Sequence, residues 1–595
     1  LKNGENMGSR KLMGAAAQVK EMPDEEVKKH EERRLLLPTR EQFWLWMPFL
    51  CVVLLGALLR FWGLGDKPLH HDESLHAYFS LQLMHNLENW QSCFNRTMGC
   101  YKYDPLLHGP FQFHAIAFMY KISQLLGAPD HGVNTTTVRL AAALSGSVIV
   151  GLPYLLRDYL GRSGAWFACL LLAISPGLVY YSRFAREDIY MACFTLLLVV
   201  AIGRYIRDRS GSWLVIAALA FVLSFATKEA TFLSIAVFGS FFVALLLWEA
   251  GIRIPVRARF RSKKVGYVRY LPKTGAPLAL AGLALFCAPF VKWFFGWMKN
   301  LSVYVTSNGA ASDEYVQHLK DQTLAILPWG CAALVAYALF LIVSKRLRKQ
   351  PVTKRYGVAT YIDPVKQPVL DALVTMPWIH WFCAILVGSI AFVLLFTVLL
   401  TNFPTGIGDG IWQGLYYWLK QQLVARGGQP WFYYLLLLPL YEQVGLVFAL
   451  VGIVRCLWRP SHFRLFMVYW FIGNVFIYSW AGEKMPWLTI HLTMPMMLLA
   501  ALGLDPVALR VVNWVKMRRN PSRSAVYRVQ SGKIRDVWAN GGAIFGVFIA
   551  IVLIILTLQN MFQITYVHYA DAPHEMMIYV QTTTDVNIVM LASIW

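Results

Sequence analysis

Residues 108–127, HGPFQFHAIAFMYKISQLLG, decide the topology of this chain. They are apolar enough to cross a bilayer and polar enough to lie along one. Around them, a sequence of 595 residues is 57% hydrophobic and only 15% charged, more apolar surface than one soluble core can hide. Apolar runs of about 18 residues or more, enough to cross ~30 Å of hydrocarbon, recur along its whole length. Lipid offers backbone N–H and C=O groups no partner, so such runs are helices. Strands of alternating polarity, the mark of a membrane barrel, are absent from the sequence. The sequence therefore predicts an all-α polytopic membrane protein.

Candidate spans fall at about 43–63, 137–157, 164–181, 188–206, 212–227, 230–250, 277–297, 324–344, 377–400, 431–456, 463–480, 485–503 and 541–562. That makes thirteen crossings if 108–127 lies on the surface. If 108–127 crossed instead, the Arg/Lys-rich segments 251–275, 345–366 and 508–536 would face outward. On the surface reading those segments join the N-terminal tail, Arg157–Arg162, Arg204–Arg209 and Arg455–Arg464 on one side, as the positive-inside rule requires. His108, Gln112, His114 and Lys121 also suit an interfacial helix. The same placement explains the net charge of +22 by topology and argues against nucleic acid as a partner.

The expected organisation is a cytoplasmic tail over 1–42, a transmembrane domain over 43–562 with a large first external loop at 64–136, and an external tail over 563–595. The expected location is the plasma (inner) membrane, with the N-terminus cytoplasmic and the C-terminus external. The tail reads as the start of a small β element opening a further soluble domain. Cys93 and Cys100 share the external loop, where a disulfide between them is expected.

Charged groups at membrane depth are costly and need a reason. The first loop opens LGDKPLHHDESLHAYFS, with Asp72, Glu73 and His76 close together. Asp72 and His76 share a face if this stretch is helical. Asp72 and Glu73 suit either helix capping or chemistry, and the sequence leaves both open. His71 and His76 are five apart, so HDESLH is not the HExxH zinc signature. In YYSRFAREDIYM, Arg183, Arg186, Glu187 and Asp188 crowd a short outer turn, as a salt-bridge cluster or as an anion site with an acid beside it. Lys228 and Glu229 separate two spans, Glu483 and Lys484 sit in WAGEKMPW, and Arg139 stands at an outer helix mouth. Singly, each of these suits an interfacial anchor. Together, acids and bases concentrated on one membrane face suit a substrate carrying a phosphate at headgroup level.

These stretches resemble the GT-C superfamily of polyprenyl-phosphate-sugar glycosyltransferases, in particular the protein O-mannosyltransferase and aminoarabinose-transferase branch. LHHDESLHAYFSLQL is similar to that branch's first-loop acidic motif. YDPLLHGPFQFHAI is similar to its His-Pro-Pro or Lys-Pro-Pro element, with His108-Gly109-Pro110 in its place. SPGLVYYSRFAREDIYMACF resembles the second-loop region. EKMPWLTIHLTMP resembles the flippase-activity-associated proteins of archaeal and bacterial N-glycosylation loci.

The resemblance implies transfer of a sugar from a polyprenyl-phosphate donor to a protein, lipid or glycan acceptor on the non-cytoplasmic face, with inversion. It implies Asp72 as general base, with Glu73 and Asp188 as the other catalytic acids. Arg183, Arg186, Lys484, Arg139 and Lys228 become candidates for the donor phosphate. His76, His108, Glu187 and Glu483 become acceptor-side or accessory residues. A divalent cation held by Asp72 and Asp188 is left open. The alternative is a non-catalytic or translocation-associated partner for lipid-linked glycans.

Overall fold

The computed structural model describes residues 40–104, 108–252, 310–348, 362–421 and 428–519, with a few isolated positions elsewhere. The chain forms two units, Leu1–Cys51 and Val52–Trp595. The expected spans at 277–297 and 541–562, the tail 563–595 and most of the tail 1–42 lie outside the described residues. Among the described residues the structure is helical, apart from a two-residue antiparallel pairing of Pro255–Val256 with Arg269–Tyr270.

The helices that matter for the site are α1 (Arg40–Phe61), α2 (His71–Glu88), α3 (Phe111–Leu125), α4 (Thr135–Gly151), α5 (Arg162–Ile174), α6 (Pro176–Ser182), α7 (Glu187–Asp208), α8 (Gly211–Phe225) and α9 (Thr231–Ile252). They are followed by α10 (Ala310–Arg348), α11 (Trp378–Phe396), α12 (Tyr433–Tyr441), α13 (Gln443–Trp458), α14 (His462–Trp480) and α15 (Thr489–Arg519). Among the described residues, 6 helices are long and apolar enough to cross a membrane, or up to 8 if each of two bent pairs is one span. Helix α3 has 15 residues, short of the about 20 that a bilayer needs, and packs on α2 and α4.

The centre of the bundle is α15. Of its apolar window within Pro486–Pro506, 94% is buried, against 6% for the window in Asp313–Phe340, which faces outward. Glycines bring α15 and α13 together. A Cβ on Gly452 would lie 2.0 Å from the Leu499 carbonyl oxygen, and one on Gly503 would lie 2.4 Å from that of Phe448. Small residues at crossings let helix backbones approach where lipid supplies no hydrophobic drive.

Two expected straight spans are broken. The 164–181 run bends by 58° between α5 and α6, and the 431–456 run bends by 108° between α12 and α13. The first break follows from Pro176, which has no N–H to offer the Leu172 carbonyl one turn back. Arg60, fully buried, makes good the loss: Nη2 donates to Leu172 O at 3.0 Å and Nη1 to Ala173 O at 3.2 Å. The freed Gly177 N–H turns to the other break and donates to Glu442 Oε1 at 3.1 Å, where Ser175 Oγ donates at 2.7 Å. The break at Glu442 thus supplies the acceptor for an N–H that the break at Pro176 leaves open.

Outside the bundle, the first loop is closed by the Cys93–Cys100 disulfide expected from the sequence. Asn86 bonds both ways with the Tyr101 backbone, at 2.9 and 3.1 Å. Trp90 Nε1 donates to Leu399 O at 2.9 Å and fastens the loop to the end of α11. A second apolar cluster, with Leu83, Phe113, Ile116, Tyr120 and Val138 buried, joins the faces of α2, α3 and α4.

Gly452→Ala forces a methyl group against the α15 backbone. Overpacking of this kind costs about 1–3 kcal/mol. A lowered unfolding midpoint in detergent is the expected result, and an unchanged midpoint would mean that the helices are not held this close.

Candidate active site

The carboxylates of the first loop part ways at the start of α2. His70 is the N-cap, and its ring accepts from the Asp72 N–H. Glu73 completes a capping box by accepting from the His70 N–H at 3.0 Å. The capping role open to both acids therefore falls to Glu73. Its carboxylate also takes Arg139 through Nε at 2.8 Å and Nη2 at 2.7 Å, and the Ala185 N–H at 2.8 Å. With four donors and no exposure, Glu73 holds loops together.

Arg139 is equally committed. Besides Glu73, it donates to the carbonyls of Leu64, Lys67 and Pro68 at 2.9–3.1 Å, which pins the entry to α2. Arg183 spends its guanidinium on the carbonyls of Leu59, Trp62 and Gly63, where α1 ends. Both were expected among the donor-phosphate cations. In the structure Arg139 is bound to Glu73 and backbone carbonyls, and Arg183 to backbone carbonyls that a helix end leaves unsatisfied.

His76 and Asp72, four apart on α2, meet successive residues of the 183–188 turn. His76 Nε2 stands 2.8 Å from Glu187 Oε1, and its Nδ1 is 3.2 Å from the Ala185 carbonyl, to which it donates. Gln112 of α3 donates to the same carbonyl at 3.0 Å. Ala185 is thus clamped by α2 and α3 together.

Asp72 pairs with Arg186 Nη1. Arg186 Nε lies 3.8 Å from both Glu187 Oε2 and Asp188 Oδ2 and has no hydrogen-bond partner among the described residues. Its guanidinium lies 3.6 Å above the Trp487 ring centroid, a cation–π contact. The two expected acids, Asp72 and Asp188, therefore meet through one arginine. A divalent cation shared by that pair was left open; as arranged here, the cation they share is Arg186. Among the described residues, no group of three or more His, Cys, Asp or Glu side chains is placed to hold a metal ion.

Asp188 opens α7, where a helix N-terminus favours negative charge. Both its oxygens accept from Lys228 Nζ at 2.9 Å, and Oδ1 lies 3.2 Å from His491 Nε2. His491 stacks on Tyr478, at 5.5 Å between ring centroids. Lys484, in the turn before α15, donates to Ala481 O at 2.7 Å, and burial lowers its pKa. Glu483 lies half-buried beside it.

The HGP element has a local explanation. His108 has a φ of +65°, and a Cβ on Gly109 would lie 2.1 Å from Ala226 O. Only glycine lets this turn lie against the end of α8, where Gly109 N donates to Thr227 O at 3.1 Å and Phe111 N to Ala226 O at 2.8 Å. His108 Nδ1 is thereby set 2.9 Å from Glu229 Oε2. Burial works against charge on this imidazole, but Glu229, with Glu187 behind it, prevails and its pKa is raised.

The sequence singled out neither Trp487 nor the tie of His491 to Asp188. In a chain with 22 tryptophans, one more in a polar turn carries no signal.

The helical membrane architecture and the motifs described above are similar to those of the GT-C superfamily of glycosyltransferases. A family model supports this: residues 108–258 match the dolichyl-phosphate-mannose-protein mannosyltransferases. No curated protein matches the sequence. Among solved structures, the oligosaccharyltransferase of Archaeoglobus fulgidus is similar at 15% identity and a TM-score of 0.43, covering 88% of this chain and 56% of that one. ArnT from Cupriavidus metallidurans is similar at 14% identity and a TM-score of 0.42, covering 88% of this chain and 73% of that one. A structure of ArnT bound to undecaprenyl phosphate is similar at 13% identity and the same TM-score of 0.42, again with 88% and 73% covered. The chain thus spans little more than half the length of the first of these.

A histidine whose pKa rises on folding stabilises the fold below its unfolded value of about 6.5, and that stability is lost as pH climbs through the folded value. Thermal midpoints of the wild type and His108→Gln should therefore differ most in mild acid and converge as pH rises. A gap that widened with pH would contradict the His108–Glu229 pairing.

Proposed function

We propose that this protein transfers a sugar from a polyprenyl-phosphate donor to a hydroxyl or amide acceptor at the non-cytoplasmic face, with Asp72 as general base. The observation that carries this reading is the contact chain Asp72–Arg186–Asp188, which joins a partly exposed carboxylate to a buried, anchored cation. Asp72 is 33% exposed, whereas Glu73, Glu187 and Asp188 are at most 1% exposed, so Asp72 is the acid an acceptor can reach.

In this reading Asp72 takes the acceptor's proton as the acceptor attacks the anomeric carbon. The bond from that carbon to the phosphate oxygen breaks from the opposite side and inverts the centre. The electron pair stays on the phosphate, and fixed cations are needed where that charge grows. Arg186 is the first of them, with Lys228 and Lys484 behind it. Asp188, His491 and Glu187 keep Arg186 and Lys228 in place, and Glu73 with Arg139 fixes the start of α2. The Cys93–Cys100 disulfide, in the same loop as Asp72, supports an oxidising, non-cytoplasmic location for that loop.

Asp72→Asn keeps the shape of the side chain and removes its basicity. Transfer should fall by about 10²–10⁴-fold, the scale of a positioned base. The check is consumption of polyprenyl-phosphate sugar by purified protein in a single membrane compartment. Near-normal transfer by the folded variant would remove Asp72 as the base. Absence of any transfer by the wild type, with lipid binding intact, would favour a translocation partner.

A further inference from the structure

Arg186 is claimed from two directions. Its Nη1 is bound to Asp72, so Oδ2 of this carboxylate is turned to the guanidinium rather than to an incoming hydroxyl. Yet Arg186 is also the site arginine with donor capacity to spare. Arg139 gives its donors to Glu73 and three carbonyls, and Arg183 is bound to three carbonyls at the end of α1. Arg186 keeps an unpaired Nε, with its plane laid on Trp487. A planar guanidinium held in this way is the group that recognises a phosphate through two bonds, here by its Nη edge, since Nε faces the buried acids.

The carboxylates around Arg186 are not equivalent. Glu187 and Asp188 are buried beneath it, each 3.8 Å from Nε, and are themselves tied to His76, Lys228 and His491. Asp72 stands on the accessible side, one-third exposed. An anion arriving from outside meets the Asp72 side of the guanidinium first, while the buried acids and Trp487 keep the arginine from leaving.

We propose that the donor's lipid phosphate and Asp72 compete for Arg186, so that donor binding draws the guanidinium off Asp72 and only then frees it as a base. This rests on the transferase reading above and adds an order to it. The donor binds first, and the acceptor's hydroxyl finds a competent base only in the donor complex. In the reaction, the acceptor's proton goes to Asp72, the acceptor oxygen bonds to the anomeric carbon, and the released electron pair ends on the phosphate now paired with Arg186. Without donor the base is masked. When the lipid phosphate leaves, Arg186 returns to Asp72.

The test is binding of undecaprenyl phosphate, which carries the phosphate without a sugar, to the full chain in lipid nanodiscs. If Asp72 is a competitor, Asp72→Asn should tighten binding by about two- to fivefold, the effect of releasing one partly exposed ion-pair partner. Arg186→Gln should weaken binding, and Asp72→Asn added to Arg186→Gln should change nothing further. Unchanged or weaker binding by Asp72→Asn overturns the competition. So does a tightening of equal size in the Arg186→Gln background, which would report only a general gain in positive charge. Asp72→Ser gives the same reading if the asparagine variant does not fold. A wild-type protein that binds no undecaprenyl phosphate removes the lipid-donor reading itself, whatever Asp72 and Arg186 do.

Discussion

Four carboxylates, Asp72, Glu73, Glu187 and Asp188, lie together in contact with Arg139, Arg186, Lys228, His76 and His491. An unpaired charge in such surroundings costs several kcal/mol, so each of these groups depends on its partner staying in place. That dependence fixes the surrounding backbone. Ala185, whose N–H goes to Glu73 and whose carbonyl takes His76 and Gln112, is the point where α2, α3 and the start of α7 are locked to one another. Three segments far apart in sequence are thereby joined through one buried polar network. Its one accessible acid is also the one whose cation has donor capacity left.

The membrane part solves a related problem with neutral groups. Pro176 breaks a helix that must remain buried, and the freed carbonyls are taken by Arg60 while the freed N–H goes to Glu442. A break inside a bundle is tolerable only where side chains supply such partners. Here it gives α6 its own direction and carries the chain into the turn that holds Arg183, Arg186 and Glu187. The irregular backbone inside the bundle and the position of the site are therefore linked.

Much of the site was legible because charge at membrane depth is rare enough to be informative. Asp72, Arg186, Asp188 and Lys228 stand out in an apolar chain, and they do meet. What could not be read was the allocation of partners. Arg139 and Arg183 look like Arg186 in sequence, yet backbone carbonyls at helix ends claim them. Glu73 looks like Asp72, yet its place at the third helical position makes it the capping residue. Such competition is decided by loops that sequence periodicity does not describe. The helix bends escaped notice for a similar reason, since an apolar run interrupted by Glu442 keeps its mean hydropathy while changing direction by 108°. The HGP turn shows the reverse case: its glycine departs from the Pro-Pro of the motif it resembles, and its close approach to the Ala226 carbonyl requires a residue without a Cβ.

A density map of the full chain incubated with a polyprenyl-phosphate sugar tests the arrangement most directly. The phosphate should lie against Arg186 above Trp487, with Asp72 released and facing the anomeric carbon from the side opposite the phosphate. A headgroup bound away from Arg186, or a phosphate seated there with the Asp72–Arg186 pair intact, would contradict it.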